Sequence, residues 1–237
     1  MKVEIWSDVM CPFCYIGKRK FENALSKFPY KDKIEVIWKS FQLDPTTITN
    51  PKLNTIDYLA EKKGWSKQQA QETTDYVTNM ARQVGLEFNF DKAVVANSLD
   101  AHRLLHLAKK YGKQNEVEEK LFEAYFTDGK NTADHFTLLQ IGKELDIDEA
   151  EIMGVFNNQA YSDEIKQDII EGQKIGVRGV PFFLLDGKYV ISGAQESEIF
   201  FQALMKSHSE FQISHKTKMM NVDDQKICGS DGCDKTM

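Results

Sequence analysis

The chain opens with side chains that alternate between two faces. In residues 2–7, Val3 and Ile5 would point to one side of a sheet, and Glu4 and Trp6 to the other. Such a period of two indicates a β-strand. The sequence therefore predicts that the chain begins as a strand.

The apolar spacing then becomes helical. Between Pro12 and Pro29, apolar residues recur at intervals of three and four, and a proline is tolerated in the first turn of a helix. Residues 34–41 are dense in β-branched and aromatic side chains, which favours a second strand. A strand–helix–strand unit of this kind predicts two parallel strands with a right-handed crossover.

Residues 44–175 show helical spacing and no convincing strand. Ser66 and Gln69 have the spacing of a capping box at the start of a helix that ends near Val84. Further helices are predicted around residues 99–108, 117–126, 136–145, 149–157 and 162–174.

Strand character returns at residues 180–185. Asp186-Gly187 then separates two apolar runs, which is a strong hairpin signal. A last helix is predicted from Glu196 to about Lys206, followed by a polar tail. The two ends of the chain would thus contribute to one sheet, with the helical segment inserted between them.

Composition narrows the class of protein. The 237 residues are 41% hydrophobic and 11% aromatic, which is ample for a buried core. The net charge is −6 with acidic and basic residues interleaved, so no cationic face for nucleic acid or anionic lipid is indicated. No run approaches the roughly 20 apolar residues needed to cross a bilayer, and the first ten residues lack the apolar core of a secretory signal. We expect a cytoplasmic protein that binds neither nucleic acid nor a membrane.

The four cysteines form two close pairs, Cys11 with Cys14 and Cys228 with Cys233. They are too few for a disulfide scaffold in a chain of this length, and a reducing compartment would keep ordinary structural pairs open. Paired cysteines in such a compartment indicate redox chemistry or metal binding.

Cys11 falls where the first strand gives way to a helix that begins at Pro12. Its sulfur can therefore face unpaired backbone N–H groups and the positive end of the helix dipole, which stabilise the thiolate that attacks disulfides. Cys14, one turn further on, is placed to close on Cys11 and release a mixed disulfide. Pro12 stiffens the turn, and Phe13 adds no hydrogen-bonding side chain. Two other interpretations stay open: a buried pair of inert thiols, and one half of a zinc site.

Several motifs together resemble the DsbA-like branch of the thioredoxin superfamily, and within it the cytoplasmic FrnE-type proteins. The motifs are SDVMCPFCYIGK, NSLDAHRLLHLAKKYG, GVRGVPFFLLDGKYVISGAQ and a terminal Cys-x4-Cys. The resemblance covers essentially the whole chain. It implies an α/β thioredoxin fold with a mixed four- to five-stranded sheet and a large all-helical insertion. Residues 1–43 and 176–206 would form the thioredoxin-fold domain, residues 44–175 the insertion, and residues 207–237 a flexible tail.

The resemblance also implies that the Val180–Pro181 peptide bond is cis and lies against the first cysteine pair. Val180 would then offer main-chain hydrogen bonds to an incoming peptide, and we expect Val180, Pro181 and Phe13 to contact the substrate. From the sequence alone, a trans proline entering an edge strand is the alternative.

The second pair lies in the tail. Gly-Ser-Asp-Gly between Cys228 and Cys233 would let the two sulfurs meet, and in FrnE-type proteins such a pair exchanges with the active-site pair. An accessory redox role is therefore expected here. Incidental thiols on a disordered tail and metal binding are the alternatives.

Three further residues are candidates for tuning the thiols: Pro12, Asp8 and His102. His102 and His106 stand four apart, a spacing that can chelate a metal, but no catalytic carboxylate lies between them and we predict no metal site. The family resemblance puts their helix over the active-site cleft, where His102 could supply a proton or bind substrate. Asp8 is expected to be an exposed carboxylate at the strand end.

The sequence thus predicts a protein-disulfide oxidoreductase or isomerase that acts on disulfide-containing client proteins. It would need no cofactor, with glutathione or a thioredoxin-type reductant as its redox partner. One alternative is a glutathione-dependent isomerase or transferase of small aromatic molecules, although such relatives usually carry serine in place of Cys11. The other is a zinc-holding, chaperone-like binding protein.

Overall fold

The computed structural model describes residues 1–223, with side chains as far as residue 213. The strands are β1 Lys2–Ser7, β2 Glu35–Ser40, β3 Asn50–Asn54, β4 Val94–Val95, β5 Phe182–Leu185 and β6 Tyr189–Ser192. The helices are α1 Pro12–Lys27, α2 Thr55–Lys63, α3 Lys67–Gln83, α4 Leu99–Lys110, α5 Gln114–Phe122, α6 His135–Glu144, α7 Glu149–Asn157, α8 Ser162–Ile175 and α9 Ser197–Asp223. A π-helical turn, Glu123–Thr127, continues α5.

Four strands form a mixed sheet in the order β2-β1-β5-β6. β1 and β2 are parallel, whereas β5 is antiparallel to both β1 and β6. Asp186 and Gly187, between β5 and β6, both have positive φ angles, 51° and 67°, as a tight hairpin turn requires. The predicted parallel pair, the hairpin and the insertion between the two halves of the sheet are confirmed.

The two faces of β1 are both covered. Val3 and Ile5 pack in the main apolar core, which also contains Phe21 of α1 and Phe200 of α9. On the opposite face the indole of Trp6 donates a hydrogen bond at 2.8 Å to the carbonyl of Asp168 in α8. Burial on both sides fixes β1, and with it the position of the chain that follows.

The insertion shares its apolar core with the sheet. Phe183 of β5 belongs to the same buried cluster as Leu104 of α4, Leu121 of α5 and Ile152 of α7. Burying these side chains together contributes about 2 kcal/mol each relative to an exposed position. The helices of the insertion are therefore held against the sheet by the same interior that holds α1.

One feature of the insertion was predicted wrongly. Residues 44–175 are not all helical, because Asn50–Asn54 pairs antiparallel with Val94–Val95 in a separate two-stranded sheet. Asn and Pro are rare in strands and β4 is two residues long, so neither segment has the run of β-branched and aromatic residues that identifies a strand. The capping box of Ser66 and Gln69 at the start of α3 is confirmed.

The last helix extends well beyond its predicted end near Lys206. α9 continues to Asp223, so the chain does not become an unstructured tail at residue 207. Ser207 and His208 are buried, and the His208 ring stacks on Tyr30 with the centroids 4.2 Å apart. This contact joins two polar-looking segments far apart in the sequence, which no local pattern reveals.

In the described part of the chain, no helix is both long enough and apolar enough to cross a membrane.

Candidate active site

The first cysteine pair lies at the start of α1. Cys11 is the N-cap residue, and Pro12 occupies the first turn. The Cys11 amide donates to the carbonyl of Asp8 at 2.9 Å, and the Cys14 amide donates to the carbonyl of Cys11 at 3.0 Å. The first turn of α1 has no acidic residue. The positive end of the helix dipole therefore acts on the Cys11 sulfur without a neighbouring carboxylate in that turn to offset it.

The environments of the two thiols differ. Cys11 is 3% exposed and Cys14 is 1% exposed, while Phe13 between them is 38% exposed. Burial raises the pKa of the Cys14 thiol well above its ordinary value, and its hydrogen bond with Cys11 adds to the shift. A hydrogen bond from the Asp8 backbone lowers the pKa of Cys14 in part. Cys14 therefore stays protonated at neutral pH and can donate to the Cys11 sulfur.

Strand pairing brings the Val180–Pro181 loop to the cysteines. β1 runs directly into the Cys11 turn, and β5 begins directly after Pro181, so their antiparallel pairing places the two turns side by side. The Val180–Pro181 bond is cis. The Cys11 sulfur lies 3.5 Å from the carbonyl oxygen of Val180, in the geometry of a hydrogen bond.

Gly17 allows this close approach and was not identified from the sequence. A Cβ atom placed on Gly17 would lie 3.0 Å from Cγ of Pro181 and 3.5 Å from the ring of Phe183. Gly17 is one turn after Cys14 on the buried face of α1. A glycine three residues after the second cysteine, inside a helix, was the available signal, because glycine there costs helix stability unless close packing requires it.

Asp8 is buried, which corrects the expectation of an exposed carboxylate. It is 2% exposed, and its Oδ2 accepts a hydrogen bond at 2.7 Å from the amide of Leu43 in the chain that follows β2. Its Oδ1 accepts from the amide of Met10 at 3.3 Å. No pattern in the sequence indicates that residues after β2 fold over this carboxylate.

His102 is also buried, at 0% exposed, and cannot contact a substrate in an open cleft. Its Nε2 lies 3.4 Å from Oδ1 of Asp8, although neither ring nitrogen has a partner in hydrogen-bond geometry among the described residues. The neighbouring His106 turns away from it and places Nε2 3.1 Å from both Asp168 and Ser40. The two histidines therefore do not form a chelating pair.

A buried carboxylate that the sequence interpretation missed lies behind the cysteines. Glu118 of α5 is 0% exposed, and its Oε1 accepts a hydrogen bond at 2.6 Å from the hydroxyl of Ser7. Burial raises the pKa of Glu118 to about 7. The available signal was its position next to Val117 and four residues before Phe122, on the apolar stripe of α5, whereas Glu116 is exposed.

Aromatic packing holds α5 against α1. Tyr15, which follows Cys14, stacks on Phe122 with centroids 4.8 Å apart and on Phe88 at 5.9 Å. The Tyr15 hydroxyl donates to Glu119 at 2.7 Å, and Glu119 also pairs with Arg19. These contacts fix the helix that carries Glu118 relative to the helix that carries Cys14.

Cys228 and Cys233 lie outside the described residues, so their accessory redox role stays a prediction and metal binding stays an alternative. Within residues 1–223, no group of three or more His, Cys, Asp or Glu side chains is arranged to hold a metal ion.

Comparison with known proteins agrees with this architecture. The curated protein YwbO of Bacillus subtilis (strain 168) is 30% identical over 204 residues, which cover 85% of this chain and 94% of YwbO. The crystal structure of the probable DsbA oxidoreductase SCO1869 from Streptomyces coelicolor is 38% identical, with a TM-score of 0.83 over 89% of this chain and 91% of that one.

A more distant structure shares the fold. The cytosolic disulfide reductase DsbM from Pseudomonas aeruginosa, solved with GSH, is 13% identical with a TM-score of 0.61, over 91% of this chain and all of that one. The model of the DSBA-like thioredoxin domain matches residues 2–205, which contain both Cys11 and Pro181. The chain therefore belongs to the DSBA-like thioredoxin domain family, whose members are thiol–disulfide oxidoreductases in general.

Proposed function

We propose that this protein is an oxidoreductase or isomerase of protein disulfides that works through Cys11 and Cys14. The observation that carries the proposal is the asymmetry of the pair. Cys11 stands at the N-cap position of α1 and its sulfur contacts the Val180 carbonyl, while Cys14 is buried behind it and kept protonated. Such an arrangement suits one attacking sulfur and one resolving sulfur.

In the proposed cycle, the Cys11 thiolate attacks a client disulfide and forms a mixed disulfide, releasing one client thiolate. Cys14 then attacks the Cys11 sulfur, closes the Cys11–Cys14 disulfide and releases the second client thiol. Oxidation runs through the same steps in reverse. The direction in the cell follows from the difference in reduction potential between this couple and its partner.

The surface beside the pair supports a polypeptide client. Phe13 is 38% exposed beside Cys11, and Leu43, whose amide binds Asp8, is 51% exposed. An extended client segment would use Val180 for main-chain hydrogen bonds and Phe13 for apolar contact. No cofactor is needed for exchange between sulfurs.

The proposal also covers the redox partner and the cellular location of the protein. Glutathione is a candidate reductant, since a DsbM structure of the same fold was solved with GSH, and a thioredoxin-type reductant is the other. A cytoplasmic location would keep the pair largely reduced between cycles. The Cys228–Cys233 pair would act as a relay between Cys11–Cys14 and that reductant.

The decisive experiment is trapping. The Cys14→Ser variant, expressed in cells, is expected to accumulate mixed disulfides that appear as larger species on non-reducing gels and vanish on reduction. The matched Cys11→Ser variant is expected to form none. Repeating the experiment with Cys228 and Cys233 both replaced by serine separates capture at Cys11 from capture by the tail.

Equal amounts of trapped species in both single variants would refute the proposed roles. The alternative of a glutathione-dependent isomerase or transferase of small aromatic molecules has less support. A second, buried thiol beneath Cys11 has a use in disulfide exchange and none in the conversion of such molecules. A zinc-holding protein would instead show bound zinc in stoichiometric amount on elemental analysis, with Cys11 and Cys14 blocked to thiol reagents.

A further inference from the structure

Arg178 is an exposed, charged residue two positions before Val180. Within residues 1–213, its guanidinium group has no hydrogen bond, ion pair or ring contact. Two residues of chain separate the Cα atoms of Arg178 and Val180 by at most about 7 Å. The carbonyl oxygen of Val180 lies 3.5 Å from the Cys11 sulfur. A long cationic side chain is therefore attached close to the sulfur that exchanges.

The backbone on both sides of Arg178 is fixed. Before it, the side chain of Val177 is buried, and the Val177 amide donates at 2.8 Å to the carbonyl of Gly172 at the end of α8. After it, the carbonyl of Pro181 accepts a hydrogen bond at 2.8 Å from the amide of Gly193. Only the side chain of Arg178 has to become ordered when it binds an anion, so the entropy lost on binding is small.

Four segments of the chain meet around the first cysteine. They are joined by backbone hydrogen bonds, by the bond to the Asp8 carboxylate, and by the close contacts of the Val180–Pro181 loop already described. The segments are residues 8–17, 41–43, 178–181 and 192–196. Their sequences contain three charged side chains, which are Asp8, Arg178 and Glu196. The field at the mouth of the site depends on how these three are paired.

Both acidic side chains of this group have partners inside the fold. Asp8 is 2% exposed, and each of its carboxylate oxygens accepts a hydrogen bond from a backbone amide. Glu196 pairs with Lys20 at 2.5 Å. The net charge of the chain is −6, yet the unpaired charge in these four segments is the positive charge of Arg178. This sign favours an anionic partner at Cys11.

A carboxylate carried near a sulfur fits such a cation. The guanidinium group of arginine donates two parallel hydrogen bonds to a carboxylate, which a simple point charge does not. Glutathione, a candidate reductant in the proposed function, carries two carboxylates and one ammonium group on a tripeptide. Whenever its sulfur is bonded to Cys11, a carboxylate is only a few bonds away from that sulfur.

Building on the proposed function, we propose that Arg178 binds a carboxylate of glutathione while the glutathione sulfur is bonded to Cys11. In one direction the Cys11 thiolate attacks glutathione disulfide, whose S–S bond breaks, and one glutathione leaves as a thiolate. In the other, a glutathione thiolate attacks the Cys11 sulfur of the Cys11–Cys14 disulfide, and Cys14 leaves as a thiolate that takes up a proton. Both directions pass through the same mixed disulfide, which Arg178 stabilises.

The test uses the reduced full-length protein with Cys14, Cys228 and Cys233 replaced by serine, so that attack by Cys11 stops at the mixed disulfide. Samples are quenched with acid, and the intact mass gives the modified fraction over time. Three disulfides are compared: anionic glutathione disulfide, neutral bis(2-hydroxyethyl) disulfide and cationic cystamine. Because their intrinsic reactivities differ, the quantity compared is the rate of each variant divided by the rate of this parent protein with the same disulfide.

Arg178→Gln is expected to slow the reaction with glutathione disulfide about 10-fold at low salt, the low end of what electrostatic attraction gives. The neutral disulfide should react at the parent rate, and cystamine should react faster. Added salt should shrink both differences. Arg178→Lys, which keeps the charge, should retain most of the rate with glutathione disulfide. Lys109→Gln, which removes an exposed positive charge from the last turn of α4, is the matched control and should react as the parent does.

An equal slowing with all three disulfides would overturn the inference, because Arg178 would then act on the Cys11 sulfur and not on a carboxylate. An unchanged rate with glutathione disulfide in Arg178→Gln would also overturn it. If in addition a peptide disulfide with glutamate beside its cysteine were slowed, the carboxylate would belong to a client. Failure of the proposed function looks different: the parent reacts with all three disulfides no faster than an ordinary thiol, and Cys14→Ser traps no client.

Discussion

Glu118 should make the stability of the protein fall as the pH rises. Its carboxyl group has an ordinary pKa of 4.5, and burial raises the pKa to about 7 in the folded state. Because the folded state holds this proton more tightly, it binds more protons than the unfolded chain between those two values. The favourable contribution is complete below about pH 4.5 and is lost as the pH rises through about 7.

The size of the effect follows from the shift. A change of one pKa unit corresponds to about 1.4 kcal/mol, so the whole shift corresponds to about 3 kcal/mol of unfolding free energy. Between about pH 5 and pH 8 the wild type should lose between about 2 and 3 kcal/mol from this group alone. Glu118→Gln has no such proton to lose. Its stability relative to wild type should therefore rise by that amount over the same range.

Urea unfolding of the reduced proteins, followed by the fluorescence of the buried Trp6 and Trp38, measures this difference directly. Other titrating groups are shared by both proteins and largely cancel. Glu116→Gln, which alters an exposed carboxyl group on the same helix, should show no such trend. The reasoning would be refuted if Glu118→Gln differed from wild type in unfolding free energy by the same amount at about pH 5 and at about pH 8. The carboxyl group of Glu118 would then have the same pKa in the folded and unfolded states.

Two further predictions concern packing around the cysteines. Gly17→Val should slow disulfide exchange, since its side chain would displace Pro181, whereas Gly154→Ala, where an added Cβ meets nothing within 4 Å, should exchange at the wild-type rate. Exchange by Gly17→Val at the wild-type rate would contradict the close packing of this loop. Phe122→Ala should lower the unfolding free energy by about 4 kcal/mol in urea titrations, and a loss below about 1 kcal/mol would show that this aromatic cluster is not a packed core. Phe136→Ala, at a position 69% exposed, is the control and should cost little.

Local patterns in the sequence were enough to predict most elements of the thioredoxin-fold part of the chain. The alternation in β1, the helical spacing of α1 and the Asp186-Gly187 turn are properties of neighbouring residues, and each predicted its element correctly. The place of Cys11 at the helix start follows from the same local reasoning. Membership in the FrnE-type group stays a prediction, as does the stabilised thiolate of Cys11.

What could not be predicted depends on contacts between distant segments. Asp8 is buried because the chain near Leu43 covers it, and α9 continues past Lys206 because its next turn packs on Tyr30. The position of Glu118 on the apolar stripe of α5 indicates burial, but its hydrogen bond with Ser7 depends on how α5 packs against the end of β1. The pairing of β3 with a strand of two residues has no local signature at all.

The proposed active site is assembled from distant parts of the chain, which are synthesised at different times. Cys11 and Val180, whose atoms meet, are 169 residues apart in the sequence. A ribosome that makes this protein therefore exposes both cysteine sulfurs long before it makes the Val180–Pro181 loop that lies against Cys11. A nascent or truncated chain that lacks this loop would expose both thiols to solvent. Such thiols would form crosslinks without selectivity, so selective exchange requires the chain to have been made and folded beyond residue 181.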